Sequence, residues 1–202
     1  MGDIKVFDNI LHEDLFNDLL AITLNPEFEW NLCETAYAGS GGDRLKSTEL
    51  SFAKIYLAED IAKHPIISEV ATMIKVALLN AGVRMEHGIF RIRWGFLFPK
   101  SDTENLISPP HVDAPYPHKT GLIYLNDSDG DTILYNETFD FSKVEDTLAV
   151  DMGVETEGVD FTEKTRVEHV ANRLLLFPGE HYHSSSLPCK SQARLNLNFN
   201  YL

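Results

Sequence analysis

The sequence predicts a mainly β fold, a sandwich or jelly roll with helices packed on one of its sheets. Three observations carry this expectation. Helical periodicity is confined to the first third of the chain. From Ile89 onward the pattern changes to short β-type runs separated by turn residues. The last run alternates apolar and polar residues without a break, as a strand with two different faces does. Helices first and strands afterwards put the helices on one side of the sheets rather than between successive strands.

Asp8 or Asn9 is placed to cap a first helix, whose Leu11, Leu15, Leu19 and Ile22 share a face and which Pro26 stops. Ala38-Gly39-Ser40-Gly41-Gly42-Asp43 reads as a flexible loop. Ser68 opens a second helix with Val70, Met73, Ile74, Ala77 and Leu78 on one stripe, and Asn80-Ala81-Gly82 closes it. IFRIRWGFLF, TGLIYLN, DTILYNE, TRVEHVA, NRLLLF and ARLNLNFNYL follow as strands, with a turn at Asn126-Asp127-Ser128-Asp129-Gly130. Residues 1–88 are therefore expected as a helical support region and 89–202 as the jelly-roll core of a single domain, since no repeat or linker marks a second. Between Glu137 and Lys164 nine acids stand against two lysines. This segment reads as a solvated surface insertion; the sharper reading is a lid that recognises a basic substrate.

Hydrophobic residues at 44% and charged residues at 24% describe an ordinary globular protein. No apolar run is long enough to span a bilayer, and MGDIKVFDNILHEDLF lacks a basic segment leading into an apolar one, so the cytoplasm is the expected compartment. Cys33 and Cys189, far apart, make neither a disulfide scaffold nor a zinc cluster. The net charge of −14 repels phosphate backbones, which weighs against nucleic acid and favours a neutral or basic substrate.

The chemistry concentrates at His111-Val112-Asp113, a second histidine seventy residues beyond Asp113, and Arg194. Two imidazoles and one carboxylate hold a ferrous ion on one face and leave the opposite positions open. In an extended segment His111 and Asp113 project to the same side. His181 and His183 are both available as the third ligand. His183 is favoured because ten residues separate it from Arg194, which suits a return on a neighbouring strand. In the last strand Leu195, Leu197, Phe199 and Tyr201 form one face, and Arg194, Asn196, Asn198 and Asn200 the other. Three asparagines are poor strand formers, so a polar face turned inward needs a buried anionic partner. An arginine can clamp a carboxylate with two parallel hydrogen bonds. Ser184-Ser185-Ser186 has no nucleophile elbow around it, which excludes the usual serine hydrolase signature. Arg91 and Arg93 share a strand face and read as partners of carboxylates or as substrate contacts, while Trp94, Tyr116 and His118 are candidates to line an entrance.

HVD, TGLIYLND, DGDTILYNE, FPGEHYHSSS and RLNLNFNY, in that order, resemble the Fe(II)/2-oxoglutarate-dependent dioxygenases, above all their prolyl-4-hydroxylase-like branch. The likeness covers roughly Ile89 to Leu202. It implies a double-stranded β-helix with helices on its major sheet, His111, Asp113 and His183 as iron ligands, and Arg194 on the distal carboxylate of 2-oxoglutarate. Tyr124 would assist that arginine through its hydroxyl, and Asn196 would approach the cosubstrate or line its pocket. Fe(II), 2-oxoglutarate and O2 would then hydroxylate a C–H bond of a protein residue or small molecule, with release of succinate and CO2. Asp129-Gly130-Asp131-Thr132 departs from the paired glycines common in that family, and the acidic insertion is not shared. The competing expectations are a cupin-like metal-binding jelly roll that does not use 2-oxoglutarate, and a non-catalytic binding module.

Overall fold

The computed structural model describes residues 3–37, 47–99, 106–143 and 159–202. The glycine-rich loop and most of the acidic insertion lie outside the described residues. Two antiparallel sheets face one another. The larger runs in the order β1-β8-β5-β10-β4-β3-β2, from β1 (Lys5–Phe7), β2 (Asn31–Tyr37), β3 (Ser47–Leu57), β4 (Ile89–Leu97), β5 (Lys119–Tyr124), β8 (Leu174–Pro178) and β10 (Arg194–Tyr201). The smaller is β7-β6-β9, from β6 (Ser128–Thr138), β7 (Glu163–His169) and β9 (His181–Ser185). The mainly β, jelly-roll architecture is as expected.

The first third is not purely a helical support. It holds α1 (Glu13–Thr23), α2 (Ala58–Lys63) and α3 (Pro65–Asn80), but β1, β2 and β3 widen the major sheet. Their signal is faint for a physical reason. Leu32, Ile55 and Leu57 are exposed while the buried positions of β3 include the small Ser51 and Ala53, so apolar residues do not mark the covered face. The helix ends also differ in detail. His12, not Asp8 or Asn9, caps α1, its Nδ1 accepting from the Asp14 N–H at 3.4 Å. Asp8 is engaged by Arg173, whose Nε donates to Oδ1 at 2.6 Å, and Asn9 adopts φ 51°. α3 begins at Pro65, whose missing N–H costs nothing in a first turn, rather than at Ser68. Gly82 closes it at φ +70°. The expected turn at 126–130 is shorter, because Ser128 already belongs to β6.

The faces of β10 organise the molecule. Leu195, Leu197, Phe199 and Tyr201 pack with Ile92, Trp94 and Ile123 against Leu19, Val70, Ile74 and Leu78 of the helices. Each such side chain, fully buried, contributes on the order of 1.5–3 kcal/mol. Trp94 Nε1 donates to Thr23 Oγ1 at 3.0 Å, tying α1 to β4. Between the sheets a second cluster forms from Leu122, Tyr124, Leu134, Val167, Leu175 and Phe177. Gly121 is required where β5 passes β10, since a Cβ there would collide with Cζ and both Cε atoms of the Phe199 ring.

Candidate metal centre

With the apolar face of β10 under the helices, its polar face opens between the sheets. β9 forms one side of this space, paired with β6. On the other side of β9 runs the segment containing His111, held by reciprocal backbone bonds: His111 N–H to His183 O and His183 N–H to His111 O, each 3.0 Å. The expected strand through His111 and Asp113 is therefore only an isolated bridge at His111. Directly opposed residues bring their rings together, and the two imidazole centroids lie 4.4 Å apart. One ligand atom from each of His111, Asp113 and His183 falls within 4.8 Å of the others. His181 stands outside this group, its Nδ1 3.3 Å from the Tyr135 carbonyl. A register break in the pairing with β6 lies between the two histidines and separates their surroundings.

The electrostatics suit a divalent metal. His111 Nδ1 lies 3.1 Å from Pro109 O and His183 Nδ1 3.4 Å from His181 O. An Nδ1–H donated to each carbonyl leaves Nε2 as the free lone pair on both rings. Burial pushes the His183 pKa down to about 3, and burial lowers that of His111 too, so both rings are neutral ligands at ordinary pH. Burial alone would raise the Asp113 carboxyl, but Arg91, His183, His111 and the Asn200 amide together outweigh it and hold the group well below the usual range. Asp113 Oδ1 faces Arg91 Nη1 at 3.3 Å and His183 Nε2 at 3.8 Å. Its Oδ2 accepts from Asn200 Nδ2 at 2.9 Å, Asn198 Nδ2 at 3.0 Å and Thr120 Oγ1 at 3.3 Å. The buried anion that the polar face of β10 requires is thus partly the chain's own Asp113.

Arg194 lines the same cavity of about 340 Å³ as His111, Asp113 and His183, with Asn196 and Thr132. Its Nε donates to Gly130 O at 2.8 Å, Nη1 to Asn196 Oδ1 at 3.0 Å and Nη2 to Thr132 Oγ1 at 2.9 Å. Gly130 lies too close for a side chain: a Cβ would stand 2.8 Å from both Arg194 Cδ and Ser186 O. Asp129 does not spoil the turn. Its carboxylate accepts the backbone N–H groups of Cys189, Lys190 and Ser191, which tethers the loop entering β10 and holds its pKa down to about 2 despite the opposing pull of burial.

Tyr124 stands one residue behind its expected place. It is wholly buried, stacks on His169 at 4.1 Å and donates to Thr132 Oγ1 at 2.7 Å, so Thr132 is what reaches Arg194. In the sequence Thr132 is only one residue of the strand DTILYNE, with nothing to single it out. Arg91, Asn198 and Asn200 gain a definite role as the cradle of Asp113. Trp94 lies on the helix side of β4 and lines no entrance, because alternation sets it opposite Arg91 and Arg93. Tyr116 and His118 cluster with Phe90 instead of facing the cavity. Cys33 and Cys189 form no disulfide.

No protein-family model matches the chain, and no curated protein matches it in sequence. Solved structures do match in fold. The epimerase SnoN from nogalamycin biosynthesis, a non-heme alpha-ketoglutarate-dependent protein, superposes with a TM-score of 0.61 at 17% identity, over 98% of this chain and 78% of its own. A 2OG-Fe(II) oxygenase-family oxidoreductase from Burkholderia pseudomallei gives 0.61 at 12% identity, over 98% and 84%. A Pseudomonas putida prolyl-4-hydroxylase gives 0.53 at 15%, over 98% and 91%. The chain has the fold of these oxygenases.

Proposed function

We propose that this chain is an Fe(II)- and 2-oxoglutarate-dependent dioxygenase. The observation that carries the proposal is the convergence of His111, Asp113 and His183 within 4.8 Å in the cavity that Arg194 also lines. The donor set fits the metal: two neutral imidazoles and one ionised carboxylate are what ferrous iron takes in a facial triad. A bound iron–2-oxoglutarate pair would supply oxygen activation, with succinate and CO2 released as a substrate C–H bond is hydroxylated.

The chain's own residues do the positioning. His111 and His183 would hold the metal through Nε2 and Asp113 through Oδ1, each aimed by the contacts at its other end. Arg194 would fix the distal carboxylate of the cosubstrate, with Thr132 and Gly130 O locking the guanidinium plane. Tyr124 keeps Thr132 oriented and stays protonated, its pKa pushed to about 12 by burial. Asn196 would meet the cosubstrate beside Arg194, while Leu122 helps keep that end of the cavity dry. A cupin-like reading would have no use for an arginine turned into the metal cavity.

Similar structures include a prolyl hydroxylase and a biosynthetic epimerase, so a peptide residue and a small molecule are both within range as substrates. No helix among the described residues is long and apolar enough to cross a membrane. Two cysteines that form no disulfide fit a reducing compartment, and we propose the cytoplasm as the location. The test is slow conversion of 2-oxoglutarate to succinate without added substrate. We expect iron-dependent turnover in the wild type, none in His111→Ala, and a strongly raised 2-oxoglutarate requirement in Arg194→Ala. A folded, iron-loaded wild type with no turnover and no 2-oxoglutarate binding would remove the proposal.

A further inference from the structure

Among the described residues, Arg93 is the cation of this cavity that no hydrogen bond or ion pair engages. It stands on the inward face of β4 between Arg91 and Gly95 and lines the same space as the metal cluster. Its neighbours are engaged elsewhere. Arg91 Nη1 donates to Asn200 Oδ1 at 2.7 Å and to Asn198 Oδ1 at 2.9 Å, and lies 3.3 Å from Asp113. Asn198, directly across from Arg93 on β10, accepts from Arg91 at its Oδ1 and donates from its Nδ2 to Asp113. Among the described residues no hydrogen bond or ion pair engages the Arg93 guanidinium. Such a group is normally found paired when it leaves bulk water.

The space beside Arg93 is kept clear. A Cβ on Gly95 would lie 3.1 Å from Arg93 Nη1 and 3.0 Å from Asn196 Oδ1, so the glycine keeps the floor open between the guanidinium and the Arg194 end. The charge balance points the same way. Among the described lining residues the guanidiniums of Arg91 and Arg93 share one carboxylate, Asp113, and Arg91 already pairs with it. This cationic excess sits inside a chain of net charge −14, so it is a local property of the cavity and not of the surface. Two carboxylates of a bound 2-oxoglutarate would be taken by Arg194 and by the metal, and Arg93 would still lack a counter-charge. Burial, then repulsion from Arg91, works against the Arg93 charge; a guanidinium nonetheless stays protonated and calls for an anion.

Resting on the dioxygenase reading above, we propose that Arg93 binds a carboxylate of the substrate, and that the substrate is a small carboxylic acid. This reverses the expectation of a basic or neutral substrate drawn from the surface charge. A planar fork facing an open space suits a carboxylate by two parallel bonds. The cavity volume of about 340 Å³ is at the small-molecule end of the usual range.

The test is calorimetric, on the whole chain. Stage one measures Ni(II) and then 2-oxoglutarate binding to the wild type, Arg93→Gln and Arg93→Lys. Stage two titrates each protein, with and without Ni(II) and 2-oxoglutarate, against a graded series of aliphatic, aromatic and α-amino carboxylic acids and against their primary amides. We expect at least one acid to bind the wild type about tenfold or more tighter than its amide, the preference to vanish in Arg93→Gln, and Arg93→Lys to recover part of it. Ni(II) and 2-oxoglutarate affinities in Arg93→Gln should stay within about threefold of wild type, a change worth under 1 kcal/mol. The proposal is overturned if no acid outbinds its amide, if Arg93→Gln keeps the preference, or if that variant loses 2-oxoglutarate, which would make Arg93 a cosubstrate residue. Failure of the wild type in stage one would instead strike the dioxygenase reading, and the metal-free titrations would still score Arg93.

Discussion

Replacing Arg91 with methionine separates the protein's own stabilisation of Asp113 from the metal's. In the metal-free protein the substitution takes away the guanidinium 3.3 Å from Asp113 Oδ1 and leaves the Oδ1 atoms of Asn198 and Asn200 without their donor. Removing one partner of a buried ion pair costs about 3–5 kcal/mol. Each orphaned amide oxygen adds about 1 kcal/mol. For a chain of this length 1 kcal/mol moves the melting temperature by about 2–4 °C, so the metal-free variant should melt roughly 10–30 °C lower. A divalent ion on Asp113 returns a cation to the same oxygen. If it restores even about half of the ion-pair term, Mn(II) should raise the melting temperature of the variant by roughly 4–8 °C more than it raises that of the wild type. Calorimetric scans with Mn(II) and with chelator read both quantities. Equal metal-induced shifts in the two proteins, or a metal-free loss of less than about 2 °C, would refute the account of Asp113 as a carboxylate shared between Arg91 and a metal.

Three further outcomes follow from contacts around the same cavity. Thr132→Val removes the acceptor of both Tyr124 and Arg194, and should raise the 2-oxoglutarate dissociation constant about tenfold while leaving metal affinity nearly unchanged; parallel losses of both would contradict it. Gly130→Ala forces a methyl against Ser186 O and Arg194 Cδ, and should weaken 2-oxoglutarate about as much, measured by the same titration. The His183 pKa is about 3 when folded against roughly 6.5 unfolded, so the unfolded chain binds the extra proton. Stability should therefore be complete above pH 6.5 and fall as pH drops through that value towards 3, by about 2 kcal/mol between pH 7 and pH 5 from this residue alone. His111 and His169, also lowered by burial, act in the same direction. Urea unfolding of the metal-free protein checks the slope, and a stability independent of pH over this range would count against buried neutral imidazoles.

What could be read in advance divides by the kind of signal involved. β10 was fully legible, because strict alternation writes both of its faces into sequence, and its asparagines could only belong to an interior with a polar lining. The inward-facing Arg194 followed from the same alternation. β2 and β3 were not legible, since Leu32, Ile55 and Leu57 point outward and leave no apolar rhythm. β9 was hidden for the opposite reason: histidines and serines filling a buried strand look like a polar loop until their partners are known. His183 and His181 were separable only by weak spacing, whereas the structure separates them by the backbone pairing of His183 with His111. Thr132 was missed because its importance lies in two contacts that reach it from the opposite sheet, from Tyr124 of β5 and Arg194 of β10, and neither leaves a trace in local sequence. The pairing of Arg91 with Asp113 is likewise a tertiary fact, made by segments twenty-two residues apart that meet only across the cavity.

The most direct test of the central claim is an anaerobic titration of the iron-loaded protein with 2-oxoglutarate, followed by visible absorption. The account predicts a metal-to-ligand charge-transfer band that saturates at one 2-oxoglutarate per chain. The band should be abolished in His183→Ala and kept in His181→Ala, because His183 alone of the two joins the cluster with His111 and Asp113. A folded, iron-loaded wild type that develops no band, or a band that survives His183→Ala and disappears in His181→Ala, would contradict it.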